Sequence, residues 1–149
     1  MRLHPLSVYL HFHVRVPALR RGAPQASAVI AGTDVLIAGL FSAKRKDYLA
    51  SMDAVAESVI RLGGRVTGRF VQRRGNSGNK KGNAPGGRRN MDRPYSRRTL
   101  MSTGKIREIA EARAQHQAEA VVFYNELTDH QRIVLAEIIG CAVFSRHDL

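Results

Sequence analysis

"DVLIAGLFSAKRKDYLASMDAVAESVIRLGGRVTGRFVQ", residues 34–72, decides the fold. Its first eight residues, DVLIAGLF, are a short continuous apolar run, the pattern of a strand buried on both faces of a parallel sheet. Tyr48, Met52, Val55, Val59 and Leu62 then recur at spacings of four, three, four and three, which lays one apolar stripe along a helix. Gly63 and Gly64 end that helix, because glycine enters the left-handed backbone region without a side-chain clash. RVTGRFVQ follows as a second strand, and a helix between two strands makes them parallel.

The same grammar resumes nearer the carboxyl terminus. KIREIAEARAQHQ, residues 105–117, places Ile106, Ile109, Ala110 and Ala114 on one helical face, and AEAVVFYNEL, residues 118–127, reads as a third strand. TDHQRIVLAEIIG, residues 128–140, opens on Thr128 with Gln131 three residues on, the spacing of a reciprocal capping box. Val134, Leu135, Ile138 and Ile139 form its expected buried face, and Gly140 its stop. CAVFSR, residues 141–146, is the last strand. This order gives an α/β fold, a small parallel four-stranded sheet flanked by helices with right-handed crossovers. Ligands of such sheets gather at the carboxyl edge of the strands.

Two stretches do not fit this pattern. Residues 1–33 are read as an irregular extension: Val8–Val16 alternate like a weak strand, and PALRRGAPQAS after them reads as linker. Their four arginines and lack of acids also fit a targeting leader, with a loosely attached extension as the default. The second stretch, RRGNSGNKKGNAPGGRRNMDRPYSRR, residues 73–98, holds nine basic residues against Asp92 alone, five glycines and one aromatic ring. It cannot bury enough apolar area to order itself and is expected to be a long, flexible, disordered loop within a domain spanning residues 34–149.

Charge follows the same division. The chain of 149 residues has a formal net charge of +12. Residues 1–33 carry +4, residues 73–98 carry +8, and the rest holds eleven basic and eleven acidic residues. A neutral scaffold with a concentrated cationic segment calls for a polyanionic partner. RNA or DNA meets that need: Arg73, Arg74, Lys80, Lys81, Arg88, Arg89, Arg93, Arg97 and Arg98 are the candidate phosphate contacts, with Tyr95 placed to stack on a base. The bland alternative is a charged insertion that keeps the protein in solution.

Other chemistry fails on spacing. The one Gly-Lys dipeptide, Gly104-Lys105, is followed by Ile106 where a P-loop needs a hydroxyl for Mg²⁺, and Thr99 stands where its first glycine belongs. Gly104 and Lys105 do open a helix, and are a possible anion contact there. His11 and His13 would share a strand face but lack a third ligand, so no metal is expected. The single cysteine, Cys141, excludes an internal disulfide and reads as a small buried residue in a reducing, cytoplasmic setting. No apolar run reaches the length of a membrane span. Neither a catalytic triad nor a cofactor is indicated.

Residues 97–149, RRTLMSTGKIREIAEARAQHQAEAVVFYNELTDHQRIVLAEIIGCAVFSRHDL, resemble the N-terminal domain of HflX, the ribosome-associated GTPase. The likeness runs through Thr99–Lys105, Asn125-Glu126-Leu127, Thr128–Gln131 and Val143–Arg146, and Phe70–Arg74 resembles that family's second strand and its exit. It departs at Ser102, Leu100 and Ser145, where the family carries a glycine, an aromatic residue and an aspartate. The resemblance implies an α/β N-terminal domain that engages the ribosome or rRNA of the large subunit. HflX continues into a helical hairpin and a GTPase domain, so the expectation here is a domain that does not hydrolyse GTP. The alternative is a remnant that docks on a separate GTPase domain or self-associates, and a weak nucleotide-binding enzyme is a third reading.

Overall fold

The computed structural model describes residues 25–75 and 93–149. In chain order they form α1 (Ala26–Ile30), β1 (Asp34–Ser42), α2 (Tyr48–Arg61), β2 (Arg65–Arg74), α3 (Thr103–His116), β3 (Ala120–Phe123), α4 (Asp129–Ile139) and β4 (Ala142–Ser145), then a single 3₁₀ turn over Arg146–Asp148. The expected weak strand at residues 8–16 and the middle of the basic segment lie outside the described residues.

The strands form one all-parallel sheet in the order β2-β1-β3-β4. β1 is central, with seven consecutive buried residues, as its unbroken apolar run predicts. On one face Leu36, Ala38, Val121, Phe123 and Val143 pack against Ile106 and Ile109 of α3 and Leu135 and Ile139 of α4. On the other, Val35, Ile37, Phe41, Ala120, Val122 and Phe144 pack against Ile30 of α1 and Met52, Val55 and Val59 of α2. The chain therefore leaves β1 towards one edge through α2 and returns to the other through α3, which puts a topological switch point between the carboxyl ends of β1 and β3.

Helix ends behave as their residues dictate. Gly63 takes φ +93°, and Gly63 N and Gly64 N donate to Ile60 O and Val59 O, the paired bonds that close α2. At α4 the Thr128–Gln131 capping box forms in both directions, and Gly140 takes φ +94°. Arg113 of α3 adds a charge to that carboxyl end by donating to Ile139 O and Gly140 O. Cys141 is buried beside it, and burial pushes its thiol up to about 12, so it remains protonated at neutral pH.

Several expectations are corrected. Ala26–Ile30, inside the stretch taken as irregular, is a helical turn with Ala26 and Ile30 buried, and Gly32 N donates to Gly63 O, so the packed unit starts before residue 34. The signal was missed because one helical turn is too short to show a period. β2 runs on to Arg74, paired with Ser42, so Arg73 and Arg74 are strand residues rather than loop. Ala114 and Ile138 are exposed; Arg113 and Ala136 hold the places they were expected to fill.

Gly64 joins these elements. A Cβ on it would lie 2.6 Å from Cγ2 of Ile30 and 2.9 Å from Cγ1 of Val59, both fully buried and β-branched. Gly64→Ala should therefore lower unfolding free energy by about 1–3 kcal/mol, the usual cost of overpacking, as read by urea denaturation.

Candidate nucleic-acid interface

Four loops meet at the carboxyl edge of the sheet. The β1–α2 loop brings Arg45, β2 ends in Arg73 and Arg74, Tyr124 follows β3, and Arg146 follows β4. Beneath them lies an aromatic floor. Phe41 sits 4.8 Å from Tyr124 and 5.8 Å from Tyr48, ring centre to ring centre, in tilted packing.

Each arginine is fixed over this floor. The Arg73 guanidinium lies 4.3 Å from the Tyr48 ring, and its Nη2 donates to Ala43 O at 2.7 Å and Arg45 O at 2.9 Å. Arg146 lies 4.2 Å from the Tyr124 ring, with Nε donating to Tyr124 O at 2.9 Å. Arg45 stands between Phe41 and Tyr124, about 5.5 Å from each ring, and donates to Asp47, Ser51 and the Tyr124 hydroxyl. Those contacts hold the Arg45 pKa above its ordinary range and, through the same hydrogen bonds, hold the Asp47 carboxyl and the Tyr124 phenol below theirs. Arg45 is thus neutralised by Asp47. Arg73 and Arg146 are held by carbonyl oxygens and ring faces, which leave their charge uncompensated; among the described residues neither has a carboxylate partner.

Asn125 keeps the third loop in place. β3 ends at Phe123, yet the Asn125 side chain accepts from Leu40 N and donates to Leu40 O, both at 2.9 Å, so a side chain continues the ladder where backbone stops. Tyr124, between them, is pinned against β1, its N–H donating to Ala38 O.

The basic segment begins and returns at this edge. Arg74, at its start, lies 4.2 Å from the ring of Tyr95, near its end. Residues 95–100 form a closed turn in which Tyr95 N donates to Leu100 O and Leu100 N to Ser96 O. Leu100 adopts φ +66°, unusual for a branched residue, and is held there by its own burial and that of Met101. The buried Gln131 donates to Arg97 O, so the capping side chain of α4 also fastens the turn. The ends of the segment expected to be a flexible loop are therefore docked, because apolar Leu100 and Met101 follow directly on its last arginines. Arg97 and Arg98 are exposed on this turn and Arg93 just before it, while Lys80, Lys81, Arg88 and Arg89 lie outside the described residues.

At the start of α3, Ser102 accepts from Lys105 N, and Gln72 clamps Ser102 by donating to its Oγ and accepting from its N–H. Ser102, where the resembling family has glycine, is here the helix cap. Lys105 pairs with Glu108, and Gly104 is exposed. The structure thus brings Arg73, Arg74 and Tyr95 together and adds Arg45, Tyr48, Tyr124 and Arg146, which sequence reasoning passed over. Their signal was position: each follows directly on a strand or opens the helix after one, at the edge where α/β sheets bind ligands.

Among the described residues no group of three or more His, Cys, Asp or Glu side chains is placed to hold a metal, and no helix is long and apolar enough to cross a membrane. Residues 87–149, rather less than half of the chain, match the family model described as GTP-binding GTPase N-terminal. No curated protein matches the chain.

Gln131→Ala removes the capping-box bond that its side chain accepts from Thr128 N and the tie to Arg97, and keeps the bond from its own N–H to the Thr128 hydroxyl. The expected cost is about 1–2 kcal/mol. Limited trypsin digestion should then cut after Arg97 and Arg98 faster than in the parent protein, as mapped by mass spectrometry.

Proposed function

We propose that this chain is a binding module for the ribosome, with rRNA of the large subunit as its contact, a reading supported by the resemblance to the HflX N-terminal domain and by the match of residues 87–149 to the family model described as GTP-binding GTPase N-terminal. The observation that supports this reading is the meeting of two cationic features at one place. The segment of net charge +8, whose first two residues, Arg73 and Arg74, end β2, returns through Arg93, Arg97 and Arg98 at the sheet edge that also carries Arg146. A polyanion that neutralises the segment would be drawn onto that edge, with mobile counterions released as it binds. Lys80, Lys81, Arg88 and Arg89 extend the same charge, and the setting is the cytoplasm, where ribosomes are. The module has no hydrolytic step of its own in this reading.

A second reading has one observation in its favour. Ile133 and Ile138 of α4 are exposed, at 40% and 47%, and an apolar patch there would suit docking on a separate GTPase domain or on another copy of the chain. The two readings divide on charge. Changing Arg88, Arg89, Arg97 and Arg98 together to alanine should abolish co-sedimentation with ribosomes if the basic segment carries binding, and leave the partner complex intact if α4 does.

Salt separates them as well. Five neutralised phosphates give a log–log slope of about −4 for a duplex-like target. A flat salt dependence of ribosome binding, measured by co-sedimentation over a salt series, would remove the basis of the rRNA reading.

A further inference from the structure

The guanidinium groups at the carboxyl edge are arranged for more than attraction. A flexible arginine grips a phosphate through its N–H edges, two bonds side by side. At Arg73 and Arg146 edge donors are already used: Nη2 of Arg73 donates to two backbone carbonyls, and Nε of Arg146 to a third. One face of each group covers a tyrosine ring. Arg73 and Arg146 are both exposed residues. With Nη2 spent on two carbonyls Arg73 has no fork left for a phosphate, and Arg146 keeps only its Nη1–Nη2 edge; the flat cationic face of each suits a stacked base, because bases stack on guanidinium planes as they do on aromatic rings.

We propose that the carboxyl edge is a platform for unpaired RNA bases, which stack on the outward faces of Arg73 and Arg146, seated on Tyr48 and Tyr124. This rests on the rRNA reading and narrows it: the edge selects looped-out or single-stranded nucleotides, while the basic segment supplies charge to any phosphate backbone. The fixed Arg45, spent on Asp47, spaces the two platforms and takes no part in stacking. A duplex keeps its bases inside the helix and offers the platforms nothing.

Lysine keeps the charge and lacks the plane, so Arg73→Lys with Arg146→Lys isolates stacking from attraction. The probes are a short unpaired RNA and its duplex, both fluorescein-labelled, followed by anisotropy with the full chain. The double variant should lose about tenfold in affinity for the unpaired RNA, the low end of the range for one stacked base, and keep duplex affinity and salt slope unchanged. A 2-aminopurine base in the unpaired probe should be quenched by the parent protein and not by the variant. Equal loss for both probes, or no loss for either, overturns the platform while leaving RNA binding in place. Failure of the parent protein to bind either RNA overturns both readings. Both substitutions are on exposed side chains, and an unchanged thermal unfolding curve confirms that the comparison is between folded proteins.

Discussion

Burial of β1 on both faces is the constraint from which the rest of the structure follows. A strand with seven consecutive buried residues must have a helix layer on each side and a paired strand at each edge. It thereby fixes the direction in which all four strands point and the place where their carboxyl ends meet. β2 aligns along the whole length of β1, from Asp34 opposite Arg65 to Ser42 opposite Arg74. That register carries Arg73 to the β1–α2 loop, where the carbonyls of Ala43 and Arg45 receive it. A slip of one residue would turn Arg73 to the opposite face and put its neighbours over Tyr48.

The edge that results is built of side chains held by their neighbours. Phe41, Tyr48 and Tyr124 form a floor whose rings are packed by the same core that holds α2 against the sheet. Arginines lie on that floor because their hydrocarbon and guanidinium surfaces cover aromatic area that would otherwise face water. Asn125, ahead of α4, and Gln131, in its first turn, do parallel work. Each side chain satisfies backbone groups that regular structure leaves open, Asn125 those of Leu40 and Gln131 those of Thr128 and Arg97. Such ties set a site on elements instead of on free loops, which is what a surface that holds planar groups requires.

The family match and the geometry bear on different questions. The match over residues 87–149 concerns the part of the chain from the return of the basic segment to β4. The departures at Leu100 and Ser102 are absorbed locally: Ser102 caps α3 with Gln72 as its clamp, and Leu100 stays in a left-handed conformation because it is buried. The rRNA reading draws on the family for its partner and on the exposed, uncompensated arginines for its surface.

Sequence alone determined the elements whose signals are local. The continuous apolar run of β1, the stripe of α2, the Gly63–Gly64 stop and the Thr128–Gln131 box all depend on residues within a turn or two of one another, so they were legible and they form as read. The concentration of charge in residues 73–98 was equally plain. Tertiary structure decided what depends on partners distant in the chain. Ala26–Ile30 is helical because Gly64 leaves room for Ile30, Arg74 meets Tyr95 because residues 95–100 dock beside β2, and the site residues Arg45, Tyr48, Tyr124 and Arg146 converge only once four parallel strands end together. Counting charge by segment treated residues 34–72 and 99–149 together as neutral, yet cancellation along a chain is not cancellation in space. Asp53 pairs with Arg69 away from the edge and Asp47 is used by Arg45, which leaves Arg73 and Arg146 without a carboxylate partner among the described residues.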